Sequence, residues 1–120
     1  DWNIKKNETH YRYLGSVTTN KNENLTLINS INYFGETSKR ARSQVMVFQD
    51  NDKYIGYYYI PMIYDLPTKF ENGFLYFINN EDNCENNYET KIDFKNGIPE
   101  KIFRKCKGKL GDLYEFQIDE

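Results

Sequence analysis

The chain owns one histidine, two cysteines and three prolines, and none of its seven glycines falls into a phosphate-binding loop. Each shortage excludes something. Nucleophilic catalysis needs a base beside a Ser, Thr or Cys, and the only imidazole is His10 in "THYRY", flanked by aromatic residues and read as a surface or packing residue. A G-x-S-x-G elbow is missing, as are G-x-G-x-x-G and G-x-x-x-x-G-K, so acyl-transfer and nucleotide chemistry lose their usual signatures. Asp50 and Asp52 begin like a calcium loop, but no glycine makes the sharp turn and no glutamate closes the cage, so the stretch reads as a turn. Two cysteines without partner histidines do not make a zinc site. No catalytic residue, metal ligand or cofactor is assigned on this basis.

Basic excess is also lacking. A net charge of −2 and a pI of about 5.5 argue against a chain built to neutralise a phosphate backbone. No run approaches the ~20 apolar residues of a transmembrane helix. At 120 residues the chain matches one ordinary domain, taken as 1–120.

What is abundant is aromatic. Eleven Tyr and eight Phe supply much of the apolar content, and aromatic residues favour strands. The alternation in "YETKIDFK" (88–95) sets Tyr88, Thr90, Ile92 and Phe94 against Glu89, Lys91, Asp93 and Lys95, the pattern of a strand buried on one face. Asn96-Gly97 follows, a favoured two-residue turn, and predicts a hairpin returning through 98–106, with Pro99 marking an edge or bulge. The acids of 81–93 then face the bases of 100–109.

A second hairpin is predicted from 43–49 and 54–60 across a turn at 50–53, with Gln49 opposite Tyr54, Phe48 opposite Ile55, Val47 opposite Gly56, Met46 opposite Tyr57 and Val45 opposite Tyr58. Further strands are expected at 11–18, 25–34, 74–79 and 112–118. Residues 36–43 read as two helical turns or a loop. The fold class is therefore mainly β: an antiparallel barrel or sandwich of about eight short strands with little helix.

Cys84 and Cys106 sit in polar surroundings, "NEDNCENN" and "RKCKGK", which suggests one disulfide in an oxidising compartment. If that bridge forms, the chain is expected to be periplasmic, secreted or on a cell surface, and Asp1 in place of Met is what either leader removal or trimming of the sequence would leave. Asn7 and Asn24 open glycosylation sequons, relevant only in a eukaryotic secretory pathway. The acids Glu81, Asp82 and Glu85 read as a solvated loop.

The stretch "YIGYYYIPMIYDLP" (54–67) concentrates five tyrosines. Buried phenols need hydrogen-bond partners, so some of these rings are expected at the surface. Phe48, Ile55, Met46 and Tyr57 are assigned to the core, and Val45, Val47, Gly56, Tyr54 and Tyr58 to the outer face, with a notch at Gly56. Met62, Ile63 and Tyr64 extend the patch onto a proline-bounded loop, and Lys39, Arg40 and Arg42 rim it. Exposed Tyr suits protein recognition. The leading expectation is an exported, non-catalytic protein of inhibitor or immunity type that binds another protein through Tyr54, Tyr58, Met62, Tyr64, Arg40 and Arg42. A lipocalin-like carrier of a small ligand is the alternative, and a carboxylate-dependent hydrolase the third possibility.

Overall fold

The computed structural model describes residues 8–35, 40–50, 52–79, 88–107 and 110–118. Nine strands run in order: β1 (Glu8–Thr18), β2 (Asn24–Phe34), β3 (Arg40–Gln49), β4 (Lys53–Ile60), β5 (Lys69–Glu71), β6 (Phe74–Asn79), β7 (Tyr88–Asp93), β8 (Lys101–Lys107) and β9 (Leu110–Ile118). A 3-10 turn, Ile63–Asp65, follows β4. The strands make two antiparallel sheets, one ordered β1-β2-β3-β4-β9-β8 and one β5-β6-β7. The mainly β, antiparallel expectation holds. The arrangement is sandwich-like, and the sheets do not close into a barrel.

Where the six-stranded sheet covers the smaller one, every second residue faces it. Leu25 and Leu27 of β2, Val45 and Val47 of β3, and Tyr58 and Ile60 of β4 are fully buried against Phe70, Leu75 and Phe77 of the smaller sheet. Phe94 lies between the layers, its ring 6.2 Å from Tyr58 and 5.3 Å from Phe70, both edge-on. Rings in this geometry gain quadrupole attraction beyond the area they bury. Gly15, at φ 156°, lets β1 approach β5, since a Cβ there would collide with the carbonyl of Phe70. The first half of β1, Glu8–Tyr13, is exposed throughout, so β1 and the adjoining ends of β2 and β3 overhang the core as a ribbon.

The hairpin expected at Asn96-Gly97 is corrected. β7 pairs with β6 and β8 pairs with β9, so residues 94–100 are a crossover between sheets. Gly97 N–H bonds back to Phe94 O at 3.1 Å, a turn that leads the chain away, and Pro99 offers no donor for a returning ladder. The charges of β8 are met by β9 instead, with Lys101 opposite Glu115 and Arg104 opposite Asp112. The Asn-Gly pair that closes a two-residue hairpin is Asn72-Gly73, with φ of 54° and 83° between Glu71 and Phe74, as that tight turn requires.

The central hairpin keeps its expected register at Val47/Gly56, Met46/Tyr57 and Val45/Tyr58, and a bulge at Ile55 then shifts Phe48 opposite Tyr54. Its faces are inverted. Val45, Val47, Gly56 and Tyr58 point inward, while Met46, Phe48, Tyr54, Tyr57 and Tyr59 point outward. Alternation fixes which residues share a face; with both faces apolar, it does not fix which face looks inward. Tyr58 is 0% exposed, and its phenol donates to the carbonyl of Pro99. The notch at Gly56 is filled by the Phe116 ring, which a Cβ at Gly56 would strike.

Of 36–43, residues 40–43 belong to β3, and 36–39, including Lys39, lie outside the described residues. The same holds for Glu81, Asp82 and Glu85. No helix among the described residues is long and apolar enough to cross a membrane.

Candidate protein interface on the open sheet face

Only the inner side of the six-stranded sheet is covered by the smaller one. Its outer side follows from the register: Tyr11 and Tyr13 of β1 lie across from Ser30 and Ile28, which lie across from Gln44 and Met46, which lie across from Tyr59 and Tyr57. The row continues into β9, where Gln117 is opposite Tyr57. Leu113 of β9 and Phe103 of β8 extend it as a facing pair. Tyr11, Tyr13, Tyr59, Phe103 and Leu113 are all exposed large residues. Aromatic side chains with a wet phenol at the tip suit such a surface.

Arg42 organises the middle of this face. Its guanidinium carbon lies 4.7 Å from the centroid of Tyr59 and 5.7 Å from that of Tyr57, a cation–π arrangement that holds a long side chain in place. Among the described residues no acid pairs with Arg42 or with Arg40, which projects on the same side two residues earlier. Two clefts flank this centre. One, of about 270 Å³, is lined by Tyr11, Asn32, Arg42, Gln44 and Met46. The other, of about 280 Å³, lies between Tyr59, Pro61, Leu113 and Glu115, where β4 parts from β9 after Tyr58.

The residues expected at the interface divide as follows. Arg40, Arg42 and Tyr54 lie on the outer face, Tyr54 with its ring 5.3 Å from Phe48. Met62 and Tyr64 are exposed on the loop after β4, Tyr64 at 64%, with no described contact joining them to Arg42. Tyr58 is enclosed and offers nothing to a partner. Tyr57 was expected in the core, and Tyr11, Tyr13 and Tyr59 were not singled out, because their grouping needs four strands in register; the period-two "THYRY" segment was the available signal.

A second cluster escaped the sequence reading. Arg104, 1% exposed, donates through Nη2 to Asp112 at 2.7 Å and through Nε to the Tyr114 hydroxyl at 3.2 Å, and its Nη2 is 3.3 Å from Asp65. Burial works against the cation, but the Tyr114 hydrogen bond and the neighbouring carboxylates prevail and raise the Arg104 pKa. Burial also raises the Tyr114 phenol. Asp65 and Asp112 thus both pair with one guanidinium, an ion-pair brace and not a free acid pair. Its signal was an arginine two residues from Ile102 on the inward face of "KIFRKC".

Cys106 carries no free thiol and is disulfide-bonded; Cys84 lies outside the described residues. The chain matches no protein-family model, no curated protein and no solved structure.

Proposed function

We propose that this chain is an exported, non-catalytic binding protein of inhibitor or immunity type, which recognises an acidic protein surface through the outer face of its six-stranded sheet. The observation that carries the reading is Arg42, held over Tyr57 and Tyr59 on an aromatic sheet face with no acidic partner among the described residues. A guanidinium already fixed by two rings loses little freedom on docking. Arg and Tyr are the residue types enriched at binding hot spots. The cations Arg40 and Arg42, in a chain of net charge −2, give the face a sign opposite to that of the whole molecule and so favour an acidic partner. Export is supported by the bonded state of Cys106, and we assign Cys84 as its partner because it is the only other cysteine in the chain.

The test uses a photo-crosslinking amino acid at Tyr59, recovery of the crosslinked protein, and titration of that protein in purified form. A saturable complex that Arg42→Glu weakens by about 2 kcal/mol or more is the expected result. A purified partner that binds wild type and Arg42→Glu alike overturns the reading. So does tight binding of a labelled single-stranded oligonucleotide abolished by the same substitution, which moves the face to nucleic acid.

A further inference from the structure

The opposite side of the overhanging ribbon carries a pocket of another character. Arg12 of β1 is directly across from Asn29 of β2, and His10 is across from Ile31, so these four side chains form one contiguous block. The loop after β4 folds over the block, and Ile63, Leu66, Pro67 and Thr68 complete a cleft of about 260 Å³. This is below the ~300–1,000 Å³ typical of pockets for drug-sized ligands and suits one amino-acid-sized group.

Two of its polar groups are unanswered. Asn29 is 5% exposed, and its Nδ2 donates to the Pro67 carbonyl at 2.9 Å. A carbonyl can only accept, so this bond fixes the orientation of the amide and leaves Oδ1 as an acceptor. That atom is buried and has no partner among the described residues. A buried acceptor without a donor is costly, and it points to a group that arrives with one. Arg12 has no hydrogen bond or ion pair among the described residues, whereas His10 lies 3.6 Å from Glu8. The guanidinium is therefore the unmatched charge of the pocket.

We infer that this pocket binds an apolar N-acylated α-amino acid with a free carboxylate, either as a small molecule or as the last residue of a peptide. The carboxylate pairs with Arg12, a geometry in which guanidinium offers two parallel donors. The acylated N–H reaches Asn29 Oδ1, and the apolar side chain packs on Ile31, Ile63, Leu66 and Pro67. Because Oδ1 is buried, the N–H reaches it only as the side chains around it give way. The site shares Tyr11 with the cleft on the outer sheet face, but neither Arg12 nor Asn29 belongs to that face, and the inference does not rest on it.

The experiment is calorimetric titration of the full chain with N-acetyl-L-leucine, its carboxamide, and a hexapeptide ending in leucine with a free carboxylate. At least one of the two acids is expected to bind saturably and the carboxamide not to bind; which acid binds better identifies the source. Arg12→Gln, at an exposed position that leaves the core intact, weakens binding about tenfold to a hundredfold, and Arg42→Glu leaves it unchanged. Equal binding of acid and carboxamide overturns the inference, as does indifference to Arg12→Gln or the failure of every probe to bind wild type.

Discussion

Arg104 Nη2 lies 3.3 Å from Asp65 Oδ2, with the arginine side chain 2% and the aspartate side chain 10% exposed. This ion pair joins strand β8 to the 3-10 turn that leaves β4, segments about forty residues apart in the chain. A buried pair adds little net stability when intact, because both charges have left water, but removal of one partner leaves the other uncompensated. Arg104→Met is therefore expected to lower the unfolding free energy by about 3–5 kcal/mol, read as a shift of the urea midpoint at constant slope. Adding Asp65→Asn to that variant should recover part of the loss. A single variant with wild-type stability would remove the brace from the account.

Burial also pushes the Tyr58 phenol far above its ordinary value. A raised folded-state pKa means that the unfolded chain loses this proton first. The associated stability is fully present below the unfolded value near pH 10 and drains away as pH rises from there towards the folded one. Wild type is expected to lose stability progressively from about pH 10 upward in urea titrations. Tyr58→Phe should show a shallower decline, although it starts lower because the Pro99 carbonyl has lost its donor. Parallel declines in the two proteins would assign the alkaline transition to other groups.

Gly56 is where β4 meets β9, and a Cβ there collides with the Gln117 carbonyl and the Phe116 ring. Backbone cannot yield as a flexible side chain can. Gly56→Ala is expected to destabilise by at least the roughly 1–3 kcal/mol of an overpacked core site, with amide exchange quickening first in β9. This follows because β4 and β9 pair over only a short run, Gly56–Tyr58 against Ile118–Phe116. Retained protection in β9 would show that the pairing tolerates a side chain.

These elements also show how far local patterns reach. The strand 74–79 was legible because alternation acts within one strand, whereas the 45–47 with 56–58 register agrees because a turn one residue shorter than expected is offset by the bulge at Ile55. The two Asn-Gly pairs were indistinguishable locally. Asn72-Gly73 closes a hairpin and Asn96-Gly97 does not, because the strand waiting for β7 is β6, and that choice is made by the sheet. The three-residue strand β5 is too short to show a period. The inversion of the Tyr58 face has the same origin: both faces of β3 and β4 are apolar, and Phe70 and Phe94, distant in sequence, decide which is covered. At the interface, Arg40, Arg42 and Tyr54 were legible one by one. The Arg42 stack on Tyr57 and Tyr59 needed the register across β3 and β4.

The bonded state of Cys106 supports a covalent tie to the segment that carries Cys84. Mass measurement after alkylation is expected to show no modified thiol without reductant and two with it. By the chain-entropy relation, a loop of this span contributes roughly 3 kcal/mol, so reduction should lower the urea midpoint accordingly. Two alkylated thiols without reductant would withdraw both the pairing and the argument for export.

The outer face makes a prediction about salt that separates a charged interface from a merely greasy one. The cations at its centre, Arg40 and Arg42, lie on solvent-exposed β3 positions, so their attraction to an acidic partner is screened over about 8 Å at physiological ionic strength. Steering by such charges acts chiefly on association, whereas the aromatic contacts act chiefly on dissociation. For the partner recovered through Tyr59, raising salt from 50 to 500 mM should slow association several-fold and leave dissociation nearly constant. Tyr59→Ala should do the reverse, speeding dissociation about tenfold or more while keeping the salt dependence. Arg42→Glu should erase that dependence. It should also speed dissociation, since the guanidinium lies over the ring it helps to present. Association that ignores both salt and Arg42→Glu would mean that the rings act alone and that the acidity assigned to the partner is wrong.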